Sequence, residues 1–297
     1  MTDIPITKKQ RLNLIRNYID RMPSLSTTVN KVLEVCDNPR TSPNALNRVI
    51  ALDPVLTGQV LKLINSAYYS LPHQISSLSR AIIMLGLNTV KNLALTTAVL
   101  ESLGGEKSFH SLSMEAFWIH SICVGVTAKA LAALKGVPAL EREEYFVAGM
   151  LHDLGKIPLN NRFVDDYSQS LALAKLEQSS LYRAEDQIME IDHTFVGGMI
   201  AEKWKLSKTI VDSLRYHHQP EAAEEGTRLL VSLVALANMY ANTLDFGSAG
   251  DNFPEERRLF VLIKEVGVDW RTLSNLSRTV TEEIEKAKIF LQLTQGG

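Results

Sequence analysis

The sequence is poor in cysteine, in charge of one sign and in long apolar runs, and each shortage excludes a class of protein. The two cysteines among 297 residues, Cys36 and Cys123, exclude a disulfide scaffold and a CxxC metal or redox site. The 31 basic and 33 acidic residues leave a formal charge of −2, so bulk electrostatics favour neither nucleic acid nor an anionic membrane. The sequence contains no run of about 18 apolar residues, so it predicts no membrane span. Residues 1–16 lack the apolar core of a signal peptide. We therefore expect a cytoplasmic protein without a membrane partner.

Strand patterns are also missing, whereas helix signals occur along the whole chain. No alternating β-branched run of useful length is present. Ser42-Pro43 and Asp53-Pro54 each join a capping side chain to a first-turn proline, so each predicts the start of a helix. Further helices are predicted at 79–85, 89–100, 114–134, 141–153, 160–180 (less regular), 194–204, 207–218 and 227–244, with two more at the C-terminal end. The sequence predicts an all-α protein.

The clearest break in the helical pattern is at Gly104-Gly105, where local hydrophobicity also falls. We place a boundary there. The predicted division is an N-terminal helical part at 1–105, a helical bundle at 106–245 and C-terminal helices at 246–297.

Most of the seven histidines lie between residues 120 and 218, and His152 is followed directly by the carboxylate of Asp153. Taken singly, each has an ordinary explanation as a core residue, a helix cap or a cation at a helix C-terminus. Taken together, several buried imidazoles need partners, and a shared metal ion provides one. The carboxylate can bridge two ions. The candidate metal ligands are His120, His152, Asp153, His193, His217 and His218.

The order of these residues resembles a known family. The phrases Trp118-Ile119-His120, Leu151-His152-Asp153-Leu154-Gly155-Lys156, His193 and Tyr216-His217-His218-Gln219-Pro220 are similar to the HD superfamily of metal-dependent phosphohydrolases. Upstream, IALDP at 50–54, LKLINSAYY at 61–69 and ISSLSRAIIMLG at 75–86 resemble the HDOD branch of that superfamily. The resemblance spans residues 20–240.

This resemblance implies an HD-type helical bundle with an N-terminal helical subdomain, used as a bacterial signalling or regulatory output module. It also implies one or two divalent transition metal ions, such as Fe, Mn, Zn or Co. Asp153, His193, His217 and His218 would surround one ion, with His120 and His152 on the side of a second.

The sequence departs from the relatives in two respects. Many HDOD members lack the HD ligands, whereas this chain keeps them and so looks closer to the HD-GYP phosphodiesterases of cyclic dinucleotides. It lacks their Gly-Tyr-Pro segment, because Gln219-Pro220 follows His218 directly. Asn238 stands where HD enzymes place a late aspartate ligand, and an amide oxygen binds a metal ion less strongly than a carboxylate. We expect at least one tightly held ion and weak or absent turnover.

The candidate catalytic residues are Asp153 and Lys156. Lys156 has the spacing of a lysine that catalytic HD proteins use near phosphate, although a surface cation beside a helix end is the alternative. Two functions stay open: a regulatory module whose partner is a regulatory protein or a small nucleotide, and a metal-dependent phosphohydrolase of cyclic dinucleotides or nucleotides. Arg80 and Lys91 are too few for a phosphate footprint, so we do not expect nucleic-acid binding.

Overall fold

The computed structural model describes residues 7–103, 110–244, 246–253 and 256–294, and within these ranges the chain forms helices and no strand. The prediction of an all-α fold is confirmed. The helices of the described residues are α1 Lys8–Arg21, α2 Thr27–Asp37, α3 Pro43–Ile50, α4 Pro54–Ile64, α5 Leu78–Leu85, α6 Leu87–Leu103, α7 Met114–Leu134, α8 Arg142–Leu151, α9 Lys156–Arg162, α10 Val164–Glu177, α11 Leu181–Met189, α12 His193–Lys203, α13 Lys208–Tyr216, α14 Glu225–Leu244, α15 Glu256–Val266, α16 Trp270–Ala287 and α17 Leu291–Thr294. Short 3₁₀ turns lie at Pro220–Ala222 and Lys288–Phe290.

The helix starts predicted from capping residues are confirmed. The Ser42 side chain accepts a hydrogen bond from the backbone N–H of Ala45, and Asp53 accepts one from Leu56. Each cap satisfies one backbone donor that the first turn of a helix leaves without a partner.

Two predicted helices end differently in the structure. The prediction of a single helix at 160–180 is wrong, because Phe163 (φ −124°, ψ 58°) separates α9 from α10. The Phe163 side chain is buried in the core. The helix expected at 141–153 ends at Leu151, so His152 and Asp153 lie in the tight turn before α9.

Helix α7 is the centre of the bundle and packs against α8, α14 and α16. Among the described residues, α7 is the one helix that is long enough and apolar enough to cross a membrane, judged by length and composition alone. Helices α5 and α6 pass the same test only when they are taken together, and the angle between them is 119°. Of the most apolar window of α7, 72% is buried inside the protein, as expected for a core helix.

Charged side chains join the N-terminal helices to the bundle. Arg11 on α1 donates to Asp166 on α10 through Nε (3.0 Å) and Nη2 (2.9 Å). Lys203, at the end of α12, donates to the backbone carbonyls of Asp20 and Met22 at the end of α1. The boundary predicted at 104–107 lies outside the described residues, and the division at 105 and 245 remains a prediction.

Candidate metal centre

The fold brings the six predicted ligands into one site inside the bundle. His120 lies on α7, His152 and Asp153 follow α8, His193 is the first residue of α12, and His217 and His218 follow α13. All are buried except His218, which is partly exposed. His193 does not cap its helix, because the side chain of Asp192 accepts the backbone N–H groups of Thr194 and Phe195.

A glycine allows the turn after α8 to touch α12. A Cβ atom on Gly155 would lie 2.0 Å from the carbonyl oxygen of His193, so only glycine fits this contact. The contact places Asp153 Oδ1 3.2 Å from His193 Nε2. The local sequence HDLG therefore positions the carboxylate and an imidazole from a distant helix.

Hydrogen bonds at the outer edge of the site fix the tautomers of three imidazoles. His152 Nδ1 contacts the carbonyl oxygen of Gly149 at 2.7 Å, and His217 Nδ1 contacts that of Ser213 at 2.9 Å. A carbonyl only accepts, so both Nδ1 atoms carry the proton. His193 Nδ1 lies 2.6 Å from Glu185 Oε2.

Glu185 Oε2 also accepts the backbone N–H of His193 at 2.8 Å, and burial raises the pKa of the Glu185 carboxyl well above its usual range. When Glu185 is ionised it can only accept, and His193 then also carries its proton on Nδ1. All three imidazoles direct an Nε2 electron pair into the site, the arrangement that outer hydrogen bonds impose on histidines that bind metals.

The inward electron pairs fit a metal cation. His193 Nε2 lies 3.3 Å from His217 Nε2, and two electron pairs facing each other repel unless a cation lies between them. Asp153 Oδ1 lies 3.2 Å from the first of these atoms and 3.6 Å from the second. Both Asp153 Oδ1 and His152 Nε2 are buried and form no hydrogen bond with any described residue. His218 Nε2 is 3.2 Å from His193 Nε2. Metal–ligand bonds of about 2.0–2.1 Å place neighbouring ligand atoms about 3.0–3.4 Å apart.

The other side of Asp153 is engaged by groups of the chain itself. Asp153 Oδ2 accepts from Lys156 Nζ at 2.8 Å and lies 3.3 Å from His152 Nε2. His120 Nε2 is 3.9 Å from Oδ2 but only 3.1 Å from the amide oxygen of Asn238. In either orientation of the amide, His120 Nε2 is hydrogen-bonded to Asn238 rather than free to bind an ion.

Burial keeps His120, His193, His217 and His218 neutral, which is the form of an imidazole that binds a metal. It lowers the pKa of His120 to about 3, and it holds the pKa values of His193 and His218 well below their usual range. Burial alone would raise the pKa of Asp153, but His152 and Lys156 hold that pKa well below its usual range. Asp153 is therefore an anion, and the imidazoles of His193 and His218 close to it are neutral.

A segment from the C-terminal part of the chain covers the site. This cover, residues 246–253, brings the carbonyl oxygen of Ala249 to 3.1 Å from Lys156 Nζ. A Cβ atom on Gly247 (φ +67°) would lie 2.3 Å from the carbonyl oxygen of Ala116 and 2.6 Å from the backbone nitrogen of His120. The cover thus packs closely against α7, and it completes the burial of Lys156, which is not the surface cation of the alternative interpretation.

Sequence reasoning missed Glu185 and the arginines beside His218. Glu185 shares the buried face of α11 with Leu181, Ala184 and Met189, and a lone carboxylate on such a face signals a buried partner. Arg183 and Arg258 line the cavity that opens at His218. Only the fold brings Arg258, from α15, to this place.

Comparisons with known proteins agree with this fold. The HDOD domain family matches residues 22–220. A Treponema pallidum protein is 27% identical over 253 residues, which are 84% of this chain and 48% of that protein, so the chain spans about half the length of this curated relative.

Two solved structures extend the comparison. An HDOD domain protein of Geobacter sulfurreducens is 26% identical, with a TM-score of 0.75 over 96% of this chain and 99% of that one. A Shewanella amazonensis protein described as a candidate phosphohydrolase shares the fold at 21% identity, with a TM-score of 0.68 over 95% and 97% of the two chains. With the family match covering most of its length, the chain belongs to the HDOD domain family.

Proposed function

We propose that this chain is a regulatory HDOD module that holds one divalent transition metal ion and has weak or no hydrolytic activity. The observation that carries the proposal is the convergence of inward Nε2 electron pairs and Asp153 Oδ1 on one point. The residues that would hold the ion are Asp153, His193, His217 and His218. In this proposal a regulatory protein or a small nucleotide is the partner through which the module acts.

The count of one ion follows from the groups on the far side of Asp153. The Lys156 ammonium already supplies a positive charge to Oδ2, and Asn238 engages His120. A second ion would have to displace the ammonium or break the His120–Asn238 hydrogen bond, and it would find an amide where a carboxylate binds better.

The chain's own residues give the site its chemistry. A bound ion would supply a Lewis acid for a phosphoryl oxygen. Glu185 holds the ring of His193, Ser213 holds that of His217, and Lys156 keeps a fixed cation on Asp153. The cover keeps bulk water from Lys156.

A metal-dependent phosphohydrolase is the second candidate. The observation that favours it is that all six predicted ligands share one site with the buried Lys156, next to a cavity that opens at His218. This arrangement would leave room for a phosphate group beside the ligands.

The test combines metal analysis with an activity assay. We expect elemental analysis of the purified protein to give about one ion per chain, and the double variant His152→Ala/Asp153→Ala to lose metal and melt at a lower temperature. His73→Ala, an exposed histidine outside the site, is the control and should keep its metal. Unchanged metal content in the double variant would reject the site. Phosphodiester hydrolysis by the natural sequence at about 1 s⁻¹ or faster would favour the second candidate.

A further inference from the structure

Helix α4 has an exposed apolar face at its start. Leu52, in the turn before α4, is 75% exposed, and Val55, in the first turn of α4, is 66% exposed. Gly58 and Lys62 are also exposed, and they follow Val55 at the spacing of one helix face. This face therefore joins two large apolar side chains, a glycine and a lysine.

The fold itself does not require the glycine at position 58. Gly58 lies inside α4, and a Cβ atom added to it would meet no atom within 4 Å. A glycine inside a helix lowers the stability of the helix relative to alanine, because it loses more conformational entropy on folding. A residue without a side chain is useful at such a position when another molecule approaches the backbone closely.

Helix α5 adds a second exposed apolar face beside the first. Ile83 is 75% exposed, Met84 is also exposed, and Arg80 lies one turn before them on the same side of α5. Helices α4 and α5 pack against each other, and both pack against α6. Their exposed sides are therefore neighbours on the surface, and we call this surface the α4–α5 face. Single exposed apolar residues are normal, but four large ones on adjacent helices are typical of an interaction site.

The same part of the chain is basic. Between Asp37 and Glu101 the sequence has five basic residues and one acidic residue, in a chain whose formal charge is −2. The acidic residue, Asp53, accepts a backbone N–H as the cap of α4. Lys62 and Arg80 are exposed, and neither forms an ion pair with any described residue. A partner with carboxylates beside an apolar stripe complements this surface.

A protein helix fits the α4–α5 face better than a lipid surface does. Helices that lie in a membrane surface insert large side chains such as Trp, Phe and Leu among the lipids. Helices α4 and α5 contain no aromatic residue, and Gly58 has no side chain to insert. An amphipathic partner helix, in contrast, gains close contact with the backbone at Gly58 and covers the apolar side chains on both sides of it.

We infer that the α4–α5 face binds an acidic amphipathic helix of a partner protein. The apolar stripe of that helix lies on Val55, Gly58 and Ile83, and its carboxylates lie beside Lys62 and Arg80. The inference goes beyond the proposed function, because it gives the chemistry of a protein partner and concerns a surface that contains none of the candidate metal ligands. It holds whether or not the metal site carries an ion.

The test is fluorescence anisotropy of labelled synthetic peptides titrated with the full chain. The glutamate peptide is a helix of about five turns, or about 18 residues, with leucine and alanine along one face and glutamate elsewhere. The lysine peptide has lysine at each glutamate position. We expect the glutamate peptide to bind and the lysine peptide to bind at least about tenfold more weakly.

A glycine variant tests the close contact. Gly58→Gln should weaken binding of the glutamate peptide about tenfold or more, because the new side chain occupies the contact. The same change should raise Tm, because glutamine is a better helix former than glycine. Gly226→Gln is the matched control: Gly226 is an exposed glycine of α14 where an added Cβ atom also meets no atom within 4 Å, and this variant should bind the peptide as the natural sequence does.

A charge variant tests the complementarity. Lys62→Glu/Arg80→Glu should weaken binding of the glutamate peptide about tenfold or more and strengthen binding of the lysine peptide. Lys175→Glu/Lys264→Glu is the matched control, because it makes the same charge change at exposed lysines of α10 and α15. It should leave binding of both peptides within about twofold of the natural sequence.

Several results would overturn the inference. These are no binding of the glutamate peptide, equal binding of the two peptides, and binding that persists in both the glycine and the charge variant. Binding to phosphatidylserine vesicles that the charge variant abolishes would assign the α4–α5 face to a membrane instead. A dimer in sedimentation analysis that the charge variant dissociates would assign the face to a second copy of this chain.

Discussion

Replacing Asn238 with aspartate should convert a one-ion site into a two-ion site. Asn238→Asp keeps the size and shape of a side chain that is 4% exposed and lies 3.1 Å from His120 Nε2. The new carboxylate would join His120, His152 and Asp153 Oδ2, which already lie together on one side of the site. These groups then form an anionic ligand set that the amide does not provide.

The size of the effect depends on the metal. Without metal, the variant buries a second carboxylate near Asp153, and we expect it to be less stable than the natural sequence because burying a charge is costly. With free metal at 100 times the dissociation constant of the second site, binding adds about 2.7 kcal/mol. For a chain of 297 residues, that gain raises Tm by about 4 °C. The variant should therefore be less stable than the natural sequence in chelator, and metal should raise its Tm more than it raises the Tm of the natural sequence.

The assay is thermal unfolding in chelator and in metal, with elemental analysis of both proteins. Asn242→Asp is the matched control, because Asn242 lies one turn further along α14 and lines the same cavity beside His218. It adds the same charge without facing His120, so its metal content should stay at one ion. Two ions in the natural sequence, or one ion in the Asn238→Asp protein, would refute this reasoning.

Three further perturbations test other parts of the site. Lys156→Met should destabilise the metal-free protein by about 3–5 kcal/mol in urea unfolding, since it leaves Asp153 Oδ2 without its ammonium, and unchanged stability would contradict this role. Glu185→Leu removes the acceptor of His193 Nδ1 and should weaken metal affinity about 10–100-fold in a competition titration, with Glu190→Leu as the exposed control. The metal-free protein should lose stability as the pH falls below about 6.5, because burial lowers the pKa of His120 to about 3 and the unfolded chain takes up the proton first; a flat stability profile from pH 7 to 4 would count against neutral buried imidazoles.

Local signals in the sequence predict most of the helix starts. Ser42 and Asp53 both cap helices that begin where the caps and the apolar period place them. Such signals involve residues only three or four positions apart, so they can be recognised in the sequence without knowledge of the fold. The break at Phe163 is different, because no glycine or proline marks it in the sequence, and Phe163 is buried in the folded protein.

The candidate site shows the same division. The histidine and aspartate ligands could be chosen from residue type, spacing and family resemblance, and the fold brings them within contact of one another. The partners that decide their chemistry could not be chosen in this way. In the sequence, Glu185 is recognisable only as a carboxylate on an apolar helix face. The Ala249 group that contacts Lys156 is a backbone carbonyl, so the residue type at 249 does not indicate this contact.

The cover over Lys156 has a consequence for how the chain acquires an ion. Ala249 follows Lys156 by 93 residues, so a ribosome supplies the segment that encloses Lys156 only after all six candidate ligands have been added to the chain. The HDOD match ends at residue 220, and Asn238 and the cover come later in the chain. Residues 246–253 enclose Lys156, whereas His218 stays partly exposed beside a cavity in the finished protein. The proposed ion should therefore still enter and leave the finished protein from the side of His218, and its exchange with ions in solution should not require the cover to open.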